Sequence, residues 1–110
     1  MDDAMKRIPR QRLDAMLRMH QLANYNILRN CDGQSTGDDL YDLCDQYGLL
    51  VWDEFSEPGP AADPTAERLD LCLANVREKI LRYRGHPCIA LWSGPREGSP
   101  AIGQAMQPDG

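Results

Sequence analysis

Aromatic residues are sparse in this 110-residue chain, 6% of the total with a single phenylalanine, and basic residues are outnumbered, 12 Lys and Arg against 17 Asp and Glu. The resulting net charge of −5 has the wrong sign for a phosphate backbone, so no nucleic-acid partner is expected. The carboxylates are dispersed and read first as a solvated surface. Nowhere is there an uninterrupted apolar run of about 18 residues, so a membrane-spanning helix is not expected. Residues Met1 to Arg10 lack an apolar stretch of the signal-peptide kind; a periplasmic or secreted protein would need its signal outside this segment. The four cysteines, at 31, 44, 72 and 88, form no CxxC pair and have no histidine at ligand spacing, so neither zinc nor any other metal or cofactor is expected. Each lies in or beside an apolar stretch and reads as a small buried hydrophobe with a free thiol.

What is present is a periodic alternation. Leu13, Met16, Leu17 and His20 fall at i, i+3, i+4 and i+7 and predict a helix over about 10–23. On that stripe His20 reads as a satisfied, half-buried histidine. An extended run, Tyr25 to Cys31, is closed by the turn pair Asp32-Gly33. Ser35 and Thr36 stand ahead of Asp38 and Asp39 at capping-box-like spacing, and Leu40, Leu43, Cys44 and Tyr47 predict a second helix over about 37–47 with Gly48 just past its end. Leu49 to Trp52 is apolar without alternation, the pattern of an interior parallel strand. Ser56 to Asp63 is a loop. Asp63 and Pro64 are expected to start a third helix whose buried stripe is Leu69, Cys72, Leu73, Val76 and Ile80. His86-Pro87 stops it, and Cys88 to Trp92 is a third apolar strand. The Gly- and Pro-rich tail, 98–110, is expected to be poorly ordered.

Helices alternating with apolar strands predict an α/β fold with parallel strands, either a doubly wound sheet or a TIM barrel. No glycine-rich phosphate loop follows any strand, which counts against nucleotide binding. A complete (β/α)8 barrel needs about 250 residues. Three strands are therefore a part of one, unless partner chains complete the sheet; exposed strand edges predict self-association.

In such folds chemistry gathers at the carboxyl ends of the strands. There the sequence delivers Arg29, Asn30 and Asp32, then Asp53, Glu54 and Glu57, then Ser93, Arg96 and Glu97. Trp52 and Trp92 stand at two of the tips. Carboxylates and arginines suit sugar hydroxyls, and an indole suits the apolar face of a pyranose. The same residues also have a purely structural reading: the acids as caps or ion-pair partners of Arg68 or Arg96, the tryptophans as barrel core, and His86 as a helix terminator.

Three blocks carry a resemblance: Asn26 to Arg29; Asp39 through Tyr41, Cys44, Asp45, Gly48 and Trp52 to Phe55; and Arg82 through His86, Pro87 and Trp92 to Gly94. In this order they resemble glycoside hydrolase family 2, most closely its β-mannosidase and endo-β-mannosidase branch, over roughly residues 13–100. The resemblance implies a segment of a TIM-barrel catalytic domain covering the whole chain, a carbohydrate substrate, and a retaining double displacement by two glutamates. Glu97 matches the family's acid/base, and the nucleophile is implied beyond Gly110. Arg29 matches a pocket-lining arginine, and Trp52 and Glu54 match the end of the third barrel strand. Trp92 and Arg96 complete the expected substrate-binding set. One departure stands out. The family has asparagine before the acid/base, where its amide is expected to bind the sugar 2-OH; here that position is Arg96, whose charge would lower the pKa of Glu97, the wrong direction for a general acid. The expected function is thus part of a β-glycosidase, inactive as the isolated chain, with a non-catalytic carbohydrate-binding module as the alternative.

Overall fold

The computed structural model describes residues 8–31, 37–55 and 65–94. Its elements are α1 (Arg10–Leu22), β1 (Ile27–Asn30), α2 (Asp38–Tyr47), β2 (Leu50–Glu54), α3 (Ala66–Tyr83) and β3 (Ile89–Ser93). The strands form one parallel sheet in the order β1-β2-β3. The apolar run at 49–52 predicts an interior strand, and β2 is hydrogen-bonded on both sides. Successive strands are neighbours, so each crossover steps the same way. A doubly wound sheet reverses direction at its switch point; a barrel wall does not.

The core lies between the sheet and its helices. Leu28 and Val51 meet Leu13 and Leu17 of α1 and Leu40, Tyr41, Leu43 and Cys44 of α2. Burying each large apolar side chain contributes about 1.5–3 kcal/mol. On the opposite face of the sheet Ile27, Leu50 and Leu91 remain exposed. Helices on one face and an uncovered second face describe an arc of barrel wall.

Local chemistry explains most boundaries. α1 ends where Asn24 takes a left-handed conformation, φ 61°, which asparagine tolerates better than most residues. The resulting turn, closed by Tyr25 N–H donating to the His20 carbonyl, shortens the expected strand at 25–31 to four residues. His20 is half-buried and its Nδ1 lies 2.9 Å from the Met16 carbonyl oxygen. Asp38 and Asp39 occupy the first turn of α2, where the helix dipole favours negative charge. α3 starts at Ala66 rather than Pro64: Thr65 is its N-cap, with Oγ1 accepting from the Arg68 N–H at 3.4 Å. The expected caps Ser35, Thr36 and Asp63 lie outside the described residues. No described helix is long and apolar enough to cross a membrane.

Gly48 ends α2 at φ 66°, and a Cβ there would meet nothing within 4 Å. The cost of Gly48→Ala is therefore backbone strain alone, about 1–2 kcal/mol. A loss of that size in chemical denaturation is expected, with no accompanying change in the size of the unfolding transition.

The far end of α3 returns to the first turn of α2. Arg82 donates to Asp38 through Nε at 3.1 Å and a terminal nitrogen at 2.9 Å, and the Tyr83 hydroxyl donates to the same carboxylate at 2.9 Å. Those hydrogen bonds hold the Asp38 carboxyl below its ordinary value. The Tyr83 phenol is pushed up to about 12, first by burial and then by Asp38. A raised folded-state value means the neutral phenol stabilises the fold fully below its ordinary value of 10 and loses that contribution as pH rises through about 12. Thermal melts across this alkaline window should fall more steeply for the native chain than for Tyr83→Phe.

Candidate active site

The carboxyl ends of β1, β2 and β3 carry one connected polar group. Arg29 and Trp52 are register partners on β1 and β2, and Glu54 follows two residues on, so all three side chains share the uncovered face. The Glu54 carboxylate is 3% exposed and accepts from Arg29 through Nε at 2.8 Å and through a terminal nitrogen. A buried carboxylate needs such a partner, and the planar guanidinium suits it. Arg29 also lies over the Trp52 ring, 4.7 Å from its centroid, and keeps 35% of its side chain exposed. Trp52 Nε1 in turn donates to Ser93 Oγ at 2.8 Å. Cation, carboxylate, indole and hydroxyl are thus held together across three strand ends, chemistry able to meet both the hydroxyls and the C–H faces of a sugar.

A bulge decides which β3 residues join them. Val51 pairs with Ile89 but Trp52 pairs with Leu91, leaving Ala90 as an extra residue on β3. A one-residue slip exchanges the faces of everything that follows. Ser93 therefore pairs with Glu54 on the uncovered face, while Trp92 pairs with Asp53 on the helix-covered side. There the Trp92 indole stacks on Phe55, with centroids 5.5 Å apart and planes 2° from parallel. Of the sequence-predicted residues, the fold brings Arg29, Trp52 and Glu54 together and sets Trp92 behind them. Arg96 and Glu97 lie outside the described residues, as do Asp32 and Glu57.

Asp53 is the polar centre of the covered side. It has no exposed surface, yet accepts from Asn30 Nδ2 at 2.9 Å and Lys79 Nζ at 2.7 Å on one oxygen and from the Tyr41 hydroxyl at 2.6 Å on the other. Two strands and two helices converge on this carboxylate, one residue before Glu54. The network therefore pins the end of β2 that presents Trp52 and Glu54. Lys79 was not among the residues expected to matter. Its signal was its place on the inner side of α3, three residues past Val76 and four before the buried Tyr83, where a lysine needs a buried acid. Asp53 and Glu54 are both ion-paired, but with Lys79 and Arg29 rather than with the expected Arg68 or Arg96, of which Arg96 lies outside the described residues.

Fold and strand-end group together define a segment of an α/β barrel with its polar site at the carboxyl end of the sheet. The chain belongs to the glycosyl hydrolases family 2, TIM barrel domain, whose family model matches residues 4–107. It is 33% identical over 122 aligned positions to a mannosylglycoprotein endo-beta-mannosidase of Lilium longiflorum, covering 99% of this chain and 13% of that protein. It is 32% identical over 92 positions to beta-mannosidase A of Emericella nidulans, covering 83% and 10%. Among solved structures, beta-D-mannosidase from Dictyoglomus thermophilum shares the fold with a TM-score of 0.67 at 24% identity, over 92% of this chain and 16% of that one. Bacteroides uniformis beta-glucuronidase 2 shares it with a TM-score of 0.71 at 22% identity, over 93% and 12%. The chain thus spans about a tenth of the length of the curated relatives it matches.

Proposed function

We propose that the protein containing this segment hydrolyses β-mannoside-like O-glycosidic bonds by a retaining double displacement, with Glu97 as acid/base and the nucleophile supplied from outside this chain. The observation that carries this reading is the Arg29–Glu54–Trp52–Ser93 group at the strand ends of a family 2 barrel segment. Arg29 and Trp52 supply sugar contacts, Glu54 holds Arg29 in place, and Trp92 braces the end of β2 from behind through Phe55. Arg96, next to Glu97 in the chain, completes the proposed substrate-binding set. The likeness to the lily and fungal mannosidases supports the choice of sugar. A mechanism needing two carboxylates on opposite sides of the sugar leaves the isolated segment inactive, and its open β1 and β3 edges favour self-association.

The test is hydrolysis of an aryl β-mannoside by the full-length protein, alongside Glu97→Gln. Native turnover that collapses in the variant supports the assignment; equal rates in both remove Glu97 from it. The second reading is a non-catalytic carbohydrate-binding module, favoured by Arg96 where the family carries asparagine. Mannoside binding without turnover by the full-length protein would establish it.

A further inference from the structure

At the other end of the sheet, away from Glu54 and Ser93, three potential metal ligands of different chemistry converge. Asp45 lies in the last turns of α2, and His86 and Cys88 lie in the connection that enters β3. His86 Nδ1 is 2.7 Å from Asp45 Oδ2, and the Cys88 backbone N–H donates to Asp45 Oδ1 at 2.8 Å. The Cys88 Sγ points at the Tyr41 carbonyl oxygen, 3.6 Å away. One oxygen, one nitrogen and one sulfur from these residues all lie within 4.8 Å of one another. Cys88 is 4% exposed, while Asp45 and His86 keep about a fifth of their side-chain surface, so the cluster is walled on one side and open on the other.

We propose that Asp45, His86 and Cys88 form a binding site for a borderline-soft divalent cation of the Zn²⁺ type, with water as the fourth ligand. The donor set selects the ion: thiolate and imidazole are poor ligands for Mg²⁺ and Ca²⁺ and good ones for Zn²⁺. Ligand bonds of about 2.0–2.3 Å place tetrahedral ligand atoms some 3.3–3.8 Å apart, so the Asp45–His86 pair opens slightly and Cys88 closes in. Both are side-chain rotations. Asp45 Oδ1 keeps its bond from the Cys88 N–H, which orients the coordinating carboxylate, and the His86 ring is held against Tyr41, centroids 5.5 Å apart. On binding, the thiol releases its proton to solvent, gives up its long contact with the Tyr41 carbonyl, and the sulfur lone pair bonds the metal. The ion would staple α2 to the entry of β3 at the stability end of the barrel wall. It has no part in the proposed hydrolysis, so its test is independent of that reading.

Spacing along the chain hides this site. His86-Pro-Cys88 supplies two ligands, but the third comes from α2, and only the parallel packing of β2 and β3 brings it near.

The test uses the full chain stripped by a chelator and titrated with Co²⁺ as a spectroscopic probe, then with Zn²⁺. Expected are a thiolate-to-cobalt charge-transfer band and strong four-coordinate visible bands, both lost when Zn²⁺ displaces the cobalt. Cys88→Ser, whose hydroxyl can still face the Tyr41 carbonyl, should abolish the charge-transfer band. Zn²⁺ affinity should fall by about tenfold or more in Cys88→Ser and in His86→Asn, and stay unchanged in Cys72→Ser. Absence of the charge-transfer band in the native chain overturns the site, as does a band that survives in a folded Cys88→Ser.

Discussion

Asp53→Ala is expected to destabilise the chain by about 3–5 kcal/mol, the usual cost of stripping one partner from a buried ion pair. Total stabilities of single domains are only about 5–15 kcal/mol, so this loss should move the whole unfolding curve. Alanine at 53 takes from the Lys79 ammonium, 17% exposed, the carboxylate it pairs with, and removes the acceptor shared by the Asn30 amide and the Tyr41 hydroxyl. Lys79→Met should cost a comparable amount by leaving Asp53 with neutral donors alone. The double variant Asp53→Ala/Lys79→Met should cost less than the sum of the singles, because no charge remains buried without its partner. Denaturant midpoints of the four proteins measure this directly. A single-variant loss below about 1 kcal/mol would mean that the network is incidental to the end of β2.

Glu97→Gln should reduce hydrolysis of a β-mannoside with a poor leaving group by about 10²–10⁴-fold, the range general acid–base catalysis supplies. Glutamine keeps the size of the side chain but cannot give a proton to the departing glycosidic oxygen. An activated aryl leaving group needs little protonation, so its departure should be nearly insensitive to the change. The glycosyl-enzyme would then accumulate, because the same carboxylate is needed to activate water in the second step. A rapid burst of phenolate followed by slow turnover is the expected signature. A uniform loss of kcat/KM, which reports the first step, across leaving groups would point to altered binding rather than to proton transfer. Arg96 adds a second readout: a guanidinium next to a general acid favours its ionised form, so Arg96→Asn should move the alkaline limb of the pH–rate profile upward.

Much of the fold was legible because it depends on local rules. Leu13 and Leu17 recur at helical spacing and are buried together; Gly48 is the residue type that a left-handed helix end requires, and occupies one at φ 66°. The apolar run at 49–52 marked the central strand of the sheet, but among the described residues the cover it implied on both faces is present on one only: Val51 is buried and Leu50 is exposed on the other face. Boundaries were less legible. Thr65 is as good a cap by residue type as the expected Asp63, which lies outside the described residues, and the hydrogen bond from the Arg68 N–H falls on the Thr65 hydroxyl.

The strand-end site was legible in its membership more than in its arrangement. Arg29, Trp52 and Glu54 could be placed at strand ends by counting, and alternation puts Trp52 and Glu54 on one face. Trp92 shows the limit of counting. Its side of the sheet depends on a bulge at Ala90, and no periodicity marks a single extra residue in a five-residue strand. The pairings of Asp53 with Lys79 and of Asp45 with His86 join residues 26 and 41 positions apart, beyond the reach of any spacing rule. The α/β alternation, the parallel strands and the delivery of Arg29, Asn30, Asp53, Glu54 and Ser93 to the carboxyl end are thus written in the sequence, because hydrophobic period and capping act within a turn or two of the chain. Only the tertiary structure decided which of those residues face each other and which acids are paired, because register and crossover packing bring distant side chains to hydrogen-bonding distance.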